Sequence, residues 1–197
     1  MTRHSALLII DMQNELLHPT GKLYGEGFPS EFDQLVGNVQ KMLAVARTKG
    51  VPVIFVYTAY HPSFVDASPV SPSRKRGSLV EGSWGAKIVE EIAPQAREFV
   101  IRKRRPSAFY ETSLDMVLRG LSVRSIFMCG VATNRAVEST ARDAFNRDYE
   151  VFIVADGCAA RSVAAHAASL ESLGGFFGTV VTAAQVEGMW KAEGSRN

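Results

Sequence analysis

Asp11 closes an almost wholly apolar run, Ala6 to Ile10, where a carboxylate is costly unless it is paired or used. An exposed strand-end aspartate or a helix cap would account for the same residue. Lys103 follows a second apolar run, Phe99 to Ile101, and is either a solvated charge or the partner of a carboxylate. Together the two offer an acid/base carboxylate held ionised by an ammonium. A third place is Gly130 to Ala144, where an apolar run passes through a glycine turn into a helix amino terminus. Unpaired N–H groups and the positive end of the helix dipole favour an anion there, a thiolate or an oxyanion. A plain strand-to-helix turn capped by Thr133 or Asn134 is the other reading. Neither Asp11-Met12-Gln13-Asn14 nor Gly130-Val131-Ala132-Thr133-Asn134 carries a GxGxxG or P-loop pattern, which disfavours a dinucleotide or phosphate cradle.

The elements that must position these residues are legible as an alternation. Six short β-rich runs, Ala6 to Ile10, Val51 to Tyr57, Phe99 to Ile101, Ser125 to Cys129, Val151 to Val154 and Phe177 to Val181, read as strands. Between them Leu35, Val39, Met42, Leu43 and Ala46 recur at helical spacing within Phe32 to Lys49, and Gly50 follows as a stop. Further helices are expected over Ala86 to Ile92, Ser113 to Arg119, Asn134 to Arg147 and Val163 to Leu173. Such alternation predicts an α/β fold, a doubly wound six-stranded parallel sheet with right-handed crossovers and helices on both faces. Ligands of such sheets bind beside the carboxyl ends of the strands, where Asp11, Lys103 and the Gly130 turn fall. Asp11 and Lys103 are expected on neighbouring strands. Tyr60 to Ser83, rich in Pro, Ser and Gly, is expected to form a surface loop over the sheet, and Tyr60, Trp84 and Phe109 either wall the pocket or merely pack.

With 197 residues and 46% hydrophobic content the chain is long enough for one core, and a single domain over 1–197 is expected. A formal charge of +2 and a longest basic run of Arg102 to Arg105 argue against a nucleic-acid partner. The polar stretch Met1 to Ser5 leads into an apolar run too short for a signal peptide or a membrane span, so a cytoplasmic protein with no membrane partner is expected. Cys129 and Cys158 form neither a disulfide framework nor a CxxC motif and read as inert thiols.

With Asp11-Met12-Gln13-Asn14, the Lys103 to Phe109 stretch ending in Ser107-Ala108-Phe109, and the Gly130 to Ala144 run, the sequence resembles the isochorismatase-like cysteine hydrolases. The likeness runs from Ala6 to about Val186, with Asp148-Tyr149-Glu150-Val151 and Ala155-Asp156-Gly157-Cys158 in register. Within the family it is most similar to the amidohydrolases of ureido and carbamoyl compounds, ureidoacrylate and N-carbamoylsarcosine among them.

That resemblance implies an Asp, Lys and Cys triad. Asp11 matches the aspartate that moves the thiol proton to the leaving ammonia or amine, and Lys103 the lysine that lowers the thiol pKa. The position of the nucleophilic cysteine holds Ala136, which has neither lone pair nor proton to offer. The resemblance also implies a cis peptide between Val131 and Ala132 and an oxyanion hole built from Val131, Ala132 and Ala136. Gln13, Tyr60, Trp84 and Phe109 are expected to contact a small-molecule substrate. Nicotinamidases of this family hold a metal with an Asp and histidines near the end of the second strand, but Tyr57-Thr58-Ala59-Tyr60-His61 lacks that pattern, so no metal and no cofactor are expected. A homodimer or homotetramer is usual in the family. Two other readings go with Ala136: a vinyl ether hydrolase using Asp11 as general acid, and a non-catalytic ligand-binding homologue.

Overall fold

The computed structural model describes residues 4–24 and 32–192, so Met1 to Arg3 and the carboxyl end of the expected domain lie outside the described residues. Strands β1 (Ser5–Ile10), β2 (Val53–Thr58), β3 (Phe99–Lys103), β4 (Ser125–Val131), β5 (Glu150–Ala159) and β6 (Thr179–Val181) form one sheet in the order β3-β2-β1-β4-β5-β6. Every pairing is parallel. Each residue of β1 and β4 is buried, which is why these strands are apolar throughout rather than alternating. The strand order reverses between β1 and β4, and the crevice above that switch point is where this topology places a ligand.

Helices α1 (Asn14–Leu17), α2 (Phe32–Lys49), α3 (Pro72–Arg76), α4 (Leu114–Gly120), α5 (Glu138–Phe145), α6 (Val163–Ser172) and α7 (Ala183–Ala192) complete the described elements, with a π-helical turn at Thr133–Val137. Helix α2 packs against α7, while α5 and α6 sit together over a second π-helical turn, Leu173–Phe177. Helix α7 was not expected, yet Thr182 and Gln185 form a reciprocal cap at its start and Trp190 is wholly buried beside Phe127. None of the helices in the described residues is long and apolar enough to cross a membrane.

Two expectations are corrected. The segment 86–92 is not a helix beyond the single turn Glu90–Ile92, because its backbone is recruited by the chain after β1: Asn14 donates to Lys87, Val89 donates to Met12, and Gln13 bridges Ile88. The loop 60–83 is more ordered than expected. It carries α3, is bridged from Tyr60 to Val80, and covers its own small cluster of Leu23, Tyr60, Ala67 and Leu79.

At the switch point β1 and β4 approach closely. Gly130 lies at φ +125°, and a β-carbon there would stand 2.0 Å from the Ile10 carbonyl oxygen, so only glycine lets β4 turn at this height.

Candidate active site

Asp11 leaves β1 at φ +53°, its N–H held by the Val56 carbonyl at 2.8 Å, which turns the carboxylate over the strand ends. Lys103 is the last residue of β3. These strands are not neighbours, contrary to expectation; β2 lies between them and supplies Thr58, in register with Lys103. The Lys103 ammonium lies 2.7 Å from Asp11 Oδ2 and donates to Thr58 Oγ1 at 2.8 Å and to the Arg105 carbonyl at 3.1 Å. Thr58 Oγ1 in turn donates to Asp11 Oδ1 at 2.9 Å. All three ammonium protons therefore have acceptors, and both carboxylate oxygens are occupied. The ion pair is almost fully buried, with side-chain exposures of 3% and 8%.

A cavity of about 370 Å³ is lined by this pair together with Val131, Ala132 and Ala136. The Val131–Ala132 peptide is cis, and the chain then enters the π-helical turn on which Ala136 sits. Tyr60 lines the same cavity, and burial pushes its phenol pKa above the ordinary value. A carboxylate, a cation and the start of a helical turn thus border one pocket, a set of groups suited to acid/base chemistry.

A model of the Isochorismatase domain matches residues 5–185. The chain belongs to the isochorismatase family. Among its relatives is a ureidoacrylate amidohydrolase, RutB, of Pseudomonas syringae pv. syringae (strain B728a), 36% identical over 194 residues, 89% of this chain and 79% of the relative. A cysteine hydrolase structure from Pseudomonas syringae pv. phaseolicola 1448A superposes with TM-score 0.89 at 28% identity, covering 98% of this chain and 94% of that one. N-carbamoylsarcosine amidase from Thermoplasma acidophilum gives TM-score 0.76 at 28% identity, with 91% and 96% covered.

Three residues expected to touch substrate, Gln13, Trp84 and Phe109, are not among the residues that line the cavity. Gln13 is wholly buried, and its amide is used up between strands: Nε2 donates to the Thr58 and Ala86 carbonyls and Oε1 accepts from Thr58 N–H. It is a clamp that fixes the end of β2. Trp84 is half-exposed with its ring edge-on to His18 at 5.0 Å, and Phe109 stacks on Tyr149 beneath the Arg147 guanidinium. His61 bonds Ser63 within its own loop.

Sequence reasoning missed Thr58 and also Thr140, which joins the lysine loop to the turn that carries Ala136. The Thr140 hydroxyl donates to the Ala136 carbonyl at 2.6 Å and accepts from Ala108 N–H at 3.0 Å, wholly out of solvent. Thr140→Val leaves the buried Ala108 N–H without its acceptor at nearly constant volume. It should cost about 2–3 kcal/mol in a denaturant titration, with Thr140→Ser recovering most of it.

Neither cysteine can stand in for a nucleophile at 136. Both lie buried outside the cavity, burial raises the Cys129 thiol well above its usual range, and that of Cys158 is pushed up to about 12. At pH 8 a thiol of that kind is thiolate in only about one molecule in ten thousand. The native chain should therefore take up no iodoacetamide at pH 8, and the unfolded chain two equivalents by mass spectrometry.

Proposed function

We propose that the chain is an amidohydrolase fold for small linear ureido or carbamoyl compounds, with Ala136 where the catalytic thiol belongs. The observation that carries this reading is the Asp11–Lys103 pair lining one pocket together with Ala136 and the Val131–Ala132 turn. With a thiol at position 136, Asp11 would take its proton as sulfur adds to the substrate carbonyl. Backbone N–H groups at 132 and 136 would hold the tetrahedral oxyanion. Collapse would expel ammonia, protonated by Asp11, and leave an acyl-sulfur bond. Asp11 would then deprotonate a water that attacks the same carbon; from a ureide the product is a carbamate, which loses carbon dioxide. Lys103 would stay paired with Asp11 through these steps.

The test is ammonia release from ureidoacrylate and N-carbamoyl-β-alanine by the unaltered chain and by Ala136→Cys. The residue present at 136 favours one other reading, a hydrolase of enol ethers in which Asp11 acts as general acid and no nucleophile is needed. That reading requires pyruvate release from isochorismate by the unaltered chain, abolished by Asp11→Asn, and a family panel without it leaves the amidohydrolase reading alone.

A further inference from the structure

The cavity is lined by five cationic side chains, Lys103, Arg104, Arg105, Arg135 and Arg161, while Asp11 is the one carboxylate among its described lining residues. Most of these cations are already engaged. Lys103 is committed to Asp11, Arg104 bonds Asp66 at 2.8 Å, and Arg105 Nη1 is held by the Asp66 and Arg104 carbonyls at 2.8 and 2.9 Å. Arg161 has interactions of its own. The Arg135 guanidinium has no hydrogen bond or ion pair among the described residues; the residue is exposed, only in part desolvated, and stands near the like charge of Arg161. Partial burial and then the like charge of Arg161 lower the pKa of this always-charged guanidinium, so an anion beside it would be favoured.

Arg135 immediately precedes Ala136, so its side chain springs from the turn that would hold the reacting carbonyl. A neutral ureide offers a guanidinium at that place only neutral carbonyl oxygens, which accept a weaker hydrogen bond than a carboxylate does. We infer that Arg135 is a specificity-determining residue, recognising a carboxylate on the same small molecule, a few bonds from its scissile carbonyl. The planar guanidinium offers two parallel N–H donors to such a group. This rests on the proposed amidohydrolase reading for the meaning of the carbonyl site, although the binding preference itself needs no nucleophile.

The experiment is calorimetry on the unaltered chain with N-carbamoyl-β-alanine, its neutral methyl ester and inorganic phosphate. The acid should bind roughly 10- to 100-fold more tightly than the ester. Arg135→Gln should erase that preference while leaving the ester's affinity unchanged, Arg135→Lys should recover part of it, and phosphate should not compete. Equal affinity for acid and ester, a preference that survives Arg135→Gln, competition by phosphate at the acid's own concentration, or no binding of the acid by folded protein up to about 10 mM overturns the inference. The two readings fail separately. Silence of Ala136→Cys on every ureide, with Arg135-dependent binding of the acid intact, overturns the reaction alone; equal turnover of acid and ester by Ala136→Cys overturns the role of Arg135 alone.

Discussion

Ala136→Cys should raise the rate of ammonia release from a ureide by roughly 10³- to 10⁶-fold over the unaltered chain, because removing a covalent nucleophile costs that much in related machinery. Without the sulfur the remaining groups can still orient a substrate and polarise its carbonyl, but position 136 supplies no atom to form the acyl bond. Ala136 lines the cavity, so one added sulfur meets space rather than packed core, and the variant should melt within about 1 kcal/mol of the parent. The introduced thiol should also be the one site that iodoacetamide labels in the native state, since Cys129 and Cys158 are buried. Loss of activity in step with that single labelling event would tie turnover to position 136. A folded variant that labels normally yet releases no ammonia from any ureide or carbamoyl compound tried would end the amidohydrolase reading.

The parts of this site that could be seen in the sequence share a property: each breaks a local pattern. A carboxylate ending an apolar strand, a lysine ending another and a glycine turn entering a helix stand out against their neighbours, and the alternation of strands and helices fixes which end of the sheet they occupy. Thr58 breaks nothing, since threonine is an ordinary strand residue, and its role exists only because β2 lies between β1 and β3. Gln13 misled for the converse reason. It stands in a chemistry-bearing segment, but its amide is consumed by backbone groups 45 and 73 residues away, which no local reading can foresee. The segment 86–92 has helical spacing and lost its helix to the same long-range competition for backbone hydrogen bonds. Arg135 breaks no local pattern either; only the assembled pocket places its guanidinium, without a side-chain partner among the described residues, beside the turn that carries Ala136.

The buried ion pair sets the other large effect, and it concerns stability. Lys103→Met preserves most of the side-chain volume but removes the charge that faces Asp11 Oδ2 and the donors that reach Thr58 and the Arg105 carbonyl. Because both partners are almost wholly out of solvent, screening does little to soften the loss, and an uncompensated buried carboxylate should cost about 3–5 kcal/mol. For a domain of this size that is a fall of roughly 6–20 °C in Tm. Asp11→Asn added to Lys103→Met removes the stranded charge while keeping an acceptor for the Thr58 hydroxyl, so the double variant should regain most of the loss. Stability and function then part company: in the Ala136→Cys background the double variant should be as stable as its parent to within about 1–2 kcal/mol and still inactive. A pair retained for folding alone would behave otherwise, since its neutral replacement would leave turnover standing. If Lys103→Met shifts the unfolding midpoint by less than about 1 kcal/mol, or if the two substitutions simply add, the ammonium and carboxylate are not coupled as their 2.7 Å separation requires.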